Sequence, residues 1–192
     1  MIKEINKELE MMECINQIKL AFKDYDIKKL REINNKCEKN ILLDEKLFFT
    51  LALLSYTLSK ILVKARFRNA SLYQKIDINL TQAIQFAKSK DEIALITSIW
   101  KILEIITNFD EKDKRYIIGI IEKGRTKIAA SLYAQGLSLS RTISITGAQK
   151  QEVLNYSGKT VMSDRVGRTI SAKERFNIAK KILKERNKKE VS

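Results

Sequence analysis

The chain has 192 residues, 44% of them apolar and 31% charged, and its formal net charge of +14 is that of a strongly basic globular protein. It contains no histidine and two cysteines, which excludes histidine-based catalysis and cysteine–histidine zinc sites, so we predict no enzymatic activity, no cofactor and no metal. No run of 18 apolar residues lacks a charge, and the first residues lack the apolar core of a signal peptide. We therefore expect a cytoplasmic protein with no membrane segment.

The first 124 residues show helical periodicity almost throughout. Apolar residues recur every three or four positions in six segments, and Asp26, Asp44 and Asp91 stand where three helices would begin. In chain order, the predicted apolar stripes are Ile2, Ile5, Leu9, Met12, Ile15 and Phe22; Ile27, Leu30, Ile33 and Cys37; Leu47, Leu51, Leu54, Leu58 and Ile61; Leu72, Ile76, Leu80, Ala83 and Ala87; Ile96, Ile99, Leu103 and Ile106; and, after a start near Asp110 or Asp113, Tyr116, Ile117, Ile120 and Ile121. Short gaps favour antiparallel neighbours, so we predict a helical bundle or a short solenoid of antiparallel hairpins within an all-α protein.

The positive charge is concentrated in the last third of the chain. Residues 125–192 contain 15 basic and 5 acidic side chains, whereas residues 1–124 contain 22 basic and 18 acidic ones. We therefore predict two domains: a helical domain, 1–124, that forms a homodimer or binds a partner protein, and a basic domain, 125–192. An excess of this size favours a polyanionic partner.

Residues 125–158 have the spacing of a helix-turn-helix motif. A helix over residues 125–135 is predicted to end at Gly136, Ser138 to cap a second short helix, and Gly147 to form the turn before a third. Ile143 stands four residues before the turn glycine, where alanine is usual. The predicted core of the motif consists of Gly147, Ala148, Val153 and Tyr156.

The run from Ile128 to Lys159 resembles a family of small prokaryotic helix-turn-helix proteins, antitoxins or regulators that accompany PIN-type ribonuclease toxins. The segments that carry the resemblance are Leu132-Tyr133-Ala134-Gln135-Gly136-Leu137-Ser138-Leu139 and Thr146-Gly147-Ala148. It covers about a sixth of the chain. The resemblance implies a DNA-binding regulator in which Tyr156 supplies the aromatic residue late in the third helix.

In a helix-turn-helix the third helix enters the major groove, with its N-terminal residues at the base edges. Amides pair with adenine and lysine reaches guanine, while other polar and basic residues contact phosphates. The predicted base-contacting residues are Gln149, Lys150, Gln151, Leu154 and Asn155, and the predicted phosphate-contacting residues are Ser138, Arg141, Lys159, Arg165 and Arg168. The segment 159–170 is interpreted either as an arm that reaches DNA or as a plain connecting loop.

A capping box at residues 171–174 predicts a final basic helix, with Phe176, Ile178, Ala179, Ile182 and Leu183 on its apolar face.

The favoured function is duplex DNA binding by a transcriptional regulator or antitoxin-like repressor. Two alternatives stay open. One is a helical module that binds RNA or a ribonucleoprotein through shape and phosphate contacts. The other is a protein-interaction adaptor whose lysines serve solubility.

Overall fold

The structure is a computed structural model that describes residues 2–110, 119–159, 176–177 and 180. Every regular element within these residues is helical, so the protein belongs to the all-α class. The chain separates into two compact units, Met1–Gly124 and Arg125–Ser192.

The described part of the first unit contains five complete α-helices, a 3-10 helix at Ala65–Phe67 and the start of a sixth α-helix. Their bounds are α1, Ile2–Lys23; α2, Ile27–Asn40; α3, Glu45–Val63; α4, Ala70–Lys88; α5, Glu92–Asp110; and α6, Ile120–Ala134. The boundary between the two units, after Gly124, therefore falls inside α6 rather than in a loop.

Three helices begin at the aspartates that the sequence indicated. In Asp26, Asp44 and Asp91, Oδ1 accepts a hydrogen bond from the backbone N–H three residues later, at 2.8, 2.9 and 2.9 Å. Each carboxylate satisfies an N–H group that has no partner within the helix, so these predicted caps are confirmed. Asn69, which was not singled out, caps α4 in the same way.

Helix α3 is the centre of the first unit. All five residues of its predicted stripe are buried, and so are most of the residues between them, because α3 packs against α1, α2 and α5. By length and composition alone α3 is apolar enough to cross a membrane. However, 83% of its apolar window is buried inside the folded chain, as in the core helix of a globular protein.

The predicted stripe of α1 is partly wrong. Leu9 is 64% exposed, and the side chains of Ile2 and Ile5 lie outside the described residues. The buried face consists of Met11, Cys14, Ile15, Ile18, Ala21 and Phe22. This face is broader than a single stripe because α1 packs against α2 on one side and against α4 on the other.

Lys7 joins three helices near their N-terminal ends. Its Nζ lies 2.6 Å from Oδ2 of Asp44 and 2.5 Å from Oε2 of Glu92. Asp44 is the N-cap of α3, and Glu92 lies in the first turn of α5. One ammonium group on α1 therefore neutralises carboxylates that begin two core helices.

A buried carboxylate connects α5 to α6. Arg66, in the 3-10 helix, forms an ion pair with Oδ1 of Asp110, the last residue of α5. Oδ2 of Asp110 accepts a hydrogen bond from the backbone N–H of Ile120 at 3.0 Å. Asp110 thus binds the first N–H of α6 from ten residues upstream. Asp113, Tyr116 and Ile117, which were assigned to this helix, lie outside the described residues.

Candidate nucleic-acid interface

The second unit contains the greater part of α6 and two shorter helices, α7 (Leu139–Thr146) and α8 (Lys150–Lys159). The last residue of α6 is Ala134, and the C-terminal cap that follows includes Gly136, whose φ is +103°. The N–H of Gly136 donates to the carbonyl of Tyr133 at 3.1 Å, and the N–H of Leu137 donates to that of Leu132 at 3.2 Å. This pair of bonds defines a Schellman ending, and the helix end predicted at Gly136 is confirmed.

Helix α7 begins at Ser138, whose Oγ accepts a hydrogen bond from the N–H of Arg141 at 3.2 Å. It ends at Gly147, which has φ +66° and ψ +16°, the left-handed conformation that favours glycine. The N–H of Gly147 donates to the carbonyl of Ile143 at 2.8 Å. Three residues, 147–149, therefore separate α7 from α8.

A small apolar cluster lies beneath this turn. Ala148 and Val153 are 3% and 0% exposed and pack with Ala129 of α6, and Leu139 of α7 packs against the cluster from its edge. Two of the predicted core residues are therefore buried against a third helix. The short side chain of Ala129 lets α8 approach α6 closely.

Tyr156, predicted as a further core residue, is 39% exposed and does not belong to this cluster. The inward face of α8 instead runs through Val153, with Glu152 and Ser157 half-buried beside it. Tyr156 is three residues after Val153, at the margin of that face. A spacing of three or four residues fits either Tyr156 or Ser157, so the sequence pattern alone did not distinguish them.

Two polar contacts connect α6 to the turn and to α8, and sequence reasoning missed both. Oγ1 of Thr126 donates a hydrogen bond to Oε2 of Glu152 at 2.9 Å, and Nη1 of Arg125 donates to the carbonyl of Thr146 at 3.2 Å. The only sequence signal was the spacing of Thr126, three residues before Ala129 and so on the same side of α6. The bond to Glu152 holds α8 by its buried side, and the bond to Thr146 joins α6 to the last residue of α7.

The two threonines of α7 satisfy their hydroxyl groups within the motif. Oγ1 of Thr142 donates to the carbonyl of Ser138 at 2.9 Å, and Oγ1 of Thr146 donates to the carbonyl of Thr142 at 2.8 Å. Oγ1 of Thr146 also accepts a hydrogen bond from the N–H of Ala148 at 3.3 Å. The buried polar groups at the turn are thereby paired, which stabilises a compact connection.

The predicted base-contacting residues lie together on the outer side of α8 and on the residue before it. All five are exposed: Gln149, Lys150, Gln151, Leu154 and Asn155. Nε2 of Gln151 donates a hydrogen bond to Oδ1 of Asn155 at 3.1 Å, one helical turn away. The surface therefore combines amide donors and acceptors with one ammonium group.

The predicted phosphate-contacting residues are described only in part. Ser138 and Arg141 are exposed at the start of α7. Lys159 is the last residue of α8, and its side chain lies outside the described residues, as do Arg165 and Arg168. Most of the predicted final helix also lies outside them, although Phe176 is described and is 67% exposed.

Within the described residues, no group of three or more cysteine, aspartate or glutamate side chains could hold a metal ion. No protein-family model, curated protein or solved structure matches the chain.

Proposed function

We propose that residues 125–192 form a helix-turn-helix domain that binds duplex DNA, in a protein that acts as a transcriptional regulator or antitoxin-like repressor. The observation that carries this proposal is the left-handed turn at Gly147 between two short helices, with Ala148 and Val153 buried against Ala129. Helix α8 is held by one face, which leaves its opposite face available to a groove of DNA.

The exposed face of α8 has chemistry suited to base edges. Because Oδ1 of Asn155 accepts from Gln151, Nδ2 of Asn155 remains as a donor beside Oε1 of Gln151 as an acceptor. The major-groove edge of adenine offers the complementary pair, an acceptor at N7 and a donor at N6. Lys150, one residue before Gln151, can donate to guanine.

Charge supports a nucleic acid as the partner. The ten excess positive charges of residues 125–192 match the phosphate backbone, which supplies most of the affinity in such complexes. Ser138 and Arg141 lie at the N-terminal end of α7, where backbone N–H groups and the helix dipole favour a phosphate. These contacts would set the register of the domain on DNA without reading its sequence.

The first unit would act as the assembly domain. Its core, built around α3, supports a helical bundle that forms a homodimer or holds a partner protein. In a homodimer, two copies of α8 would contact half-sites about 34 Å apart, one turn of the double helix.

The first experiment is equilibrium binding of the full chain to mixed-sequence duplex DNA and to a structured RNA, at several salt concentrations. We expect a preference for the duplex, with log affinity falling on log salt with a slope of about −0.9 for each phosphate neutralised. A preference for the RNA would favour the RNA-binding alternative. An absence of binding to both at low salt would contradict the proposal.

Selection from a randomised duplex would then yield a preferred site for variants. We expect Lys150→Ala and Asn155→Ala each to weaken binding to that site by about 1–3 kcal/mol and to relax base choice. Lys88→Ala is the matched control, because Lys88 is an exposed lysine at the end of α4 in the first unit. Equal effects of Lys150→Ala and Lys88→Ala would show that α8 is not the recognition helix.

A further inference from the structure

Two thiols that the proposed function does not use face each other in the first unit. Sγ of Cys37, on α2, donates a hydrogen bond to Sγ of Cys14, on α1, with 3.6 Å between the sulfur atoms. Cys14 is 1% exposed and Cys37 is 0% exposed, and neither forms a disulfide. They are the only cysteines in the chain.

Polar contacts near the two thiols hold α1 and α2 in this register. Nδ2 of Asn40 donates to Oε2 of Glu10 at 3.2 Å, and Nζ of Lys36 donates to Oε2 of Glu13 at 2.7 Å. Higher residue numbers on α2 therefore face lower ones on α1, as in an antiparallel pair. A disulfide would need the sulfurs to move about 1.6 Å closer, a change that rotations about the side-chain bonds of both cysteines can share.

The surroundings make the two thiols unequal. The hydrogen bond from Cys37 lowers the pKa of Cys14, and burial opposes this shift. The nearby Lys36 ammonium lowers the pKa further, while the carboxylates of Glu10 and Glu13, which pair with Lys36, raise it, and the net shift is downward. The pKa of Cys37 is raised, because its proton is held in the bond to Cys14 and because the group is buried. Since the thiolate is the reactive form, Cys14 is the nucleophile of the pair.

We propose that Cys14 and Cys37 form a modification site, a dithiol that a small peroxide converts to an intramolecular disulfide between α1 and α2. The Cys14 thiolate attacks one peroxide oxygen, the O–O bond breaks, and the departing hydroxide takes a proton to become water. The sulfur of Cys37 then attacks the resulting Cys14 sulfenic acid. The S–O bond breaks, and its hydroxide leaves as water with the Cys37 proton. Two thiols lose two electrons in total, and hydrogen peroxide, the peroxide used in the test below, is reduced to two waters.

The product would constrain the first unit. Cys14 and Cys37 are 23 positions apart, so the disulfide closes a loop that contains the end of α1 and most of α2. Closing such a loop lowers the conformational entropy of the unfolded chain more than that of the folded chain, and this stabilises the folded state. We expect the melting temperature of the oxidised chain to rise, on the order of 10 °C.

The test treats the full chain with graded hydrogen peroxide and then counts thiols by alkylation and intact mass under denaturing conditions. We expect both thiols to disappear together, the mass to fall by two hydrogen atoms, and a single cross-linked peptide pair to contain Cys14 and Cys37. A thiol reductant should reverse the mass change and the higher melting temperature. The proposal would be overturned if both thiols of the folded chain persisted at peroxide concentrations that oxidise the urea-unfolded chain. It would also be overturned if the product were a sulfinic acid or a disulfide-linked dimer.

Substitutions separate the disulfide from general oxidation. Cys37→Ala keeps Cys14 but cannot close the bridge, so peroxide should not raise its melting temperature; Cys14→Ala gives the same test if Cys37→Ala fails to fold. Lys36→Met should slow oxidation several-fold because the ammonium near Cys14 is lost. Lys39→Met, at an exposed position on the same helix, is the matched control and should oxidise at the wild-type rate. Equal rates in the two lysine variants would contradict Cys14 as the activated thiol.

Discussion

Gly147 and Gly158 are two glycines of the second unit that differ in backbone conformation and in the space available for a side chain. Gly147 has φ +66°, and a Cβ there would lie 2.6 Å from Nη1 of Arg125, whereas a Cβ on Gly158 would meet nothing within 4 Å. We expect Gly147→Ala to cost about 1–2 kcal/mol because of its left-handed backbone. Gly158→Ala, within α8, should stabilise by about 0.5–1 kcal/mol.

Urea unfolding of both glycine variants, followed by circular dichroism, measures this difference. Gly158→Ala serves as the control, because it adds the same methyl group to the same unit. If Gly147→Ala were as stable as the wild type, the left-handed turn between α7 and α8 would be wrong.

The proposed binding of DNA by the amide pair on α8 makes a prediction about one atom of the duplex. Because Nδ2 of Asn155 is the free donor, replacing the contacted adenine in the selected site with 7-deazaadenine removes its acceptor at N7. We expect the wild type to lose about 1–3 kcal/mol of affinity for the modified duplex. Asn155→Ala should bind both duplexes equally, and Lys150→Ala should remain sensitive. If the wild type and Asn155→Ala lost the same affinity on the modified duplex, the contact between Asn155 and N7 would be excluded. That result would not contradict the proposed DNA binding.

At the scale of single elements, Asp110 is a buried carboxylate that connects three elements of the first unit: the 3-10 helix, α5 and α6. Its side chain is 5% exposed and serves both Arg66 and the first N–H of α6. We expect Asp110→Ala to cost about 3–5 kcal/mol, since it leaves a buried guanidinium without this carboxylate. Asp91→Ala removes an exposed N-cap of α5 and should cost only about 1 kcal/mol.

Thermal and urea unfolding of the two aspartate variants test the comparison. A cost for Asp110→Ala no larger than that for Asp91→Ala would mean that the ion pair with Arg66 does not hold the end of α5 to the start of α6. The double substitution Arg66→Met with Asp110→Leu should recover part of the loss, because no buried charge then remains without a counter-charge.

The sequence predicted elements whose signals are local. Asp44 caps α3 through a hydrogen bond to a residue only three positions later. The apolar residues of α3 are buried at the three- and four-residue spacing of a helix. The buried face of α1 could not be predicted in the same way, because a helix that packs between two neighbours buries a broad face. Several sets of apolar residues with helical spacing fit such a face. Leu9 satisfied the spacing and is nevertheless 64% exposed.

In the candidate site, too, the features that depend on neighbouring residues could be predicted, and the contacts between distant residues could not. Gly147 could be identified because the left-handed turn between two short helices demands glycine, and Val153 followed from its distance to that turn. The contact between Thr126 and Glu152 links residues 26 positions apart, and no local pattern selects it. Tyr156 illustrates the same limit, since its exposure depends on how α8 is rotated against α6.

At the scale of the whole molecule, the absence of histidine has a consequence for pH. Histidine is the side chain whose ordinary pKa lies between pH 5 and 8, so a chain without it keeps nearly constant charge from about pH 5.5 to 7. The positive excess of residues 125–192 therefore does not change over that range. We expect urea unfolding to give a constant stability over this range, and we expect the proposed binding of DNA to keep the same affinity and salt dependence there.

Acid unfolding should reveal the carboxylates whose charge stabilises the folded chain, and Asp44 is one of them. Burial raises its pKa, but hydrogen bonds from Lys7 and from the backbone N–H of Leu47 outweigh burial, so the pKa of Asp44 lies below its ordinary value. The unfolded chain then binds a proton more readily than the folded one as the pH falls through about 4, and stability is lost on that side. Urea titrations between pH 3 and 7 should show a smaller acid loss in Asp44→Asn and in Lys7→Met than in the wild type. Since asparagine can still cap α3, an unchanged acid loss in Asp44→Asn would show that the carboxylate charge, as distinct from the cap, contributes nothing to acid unfolding.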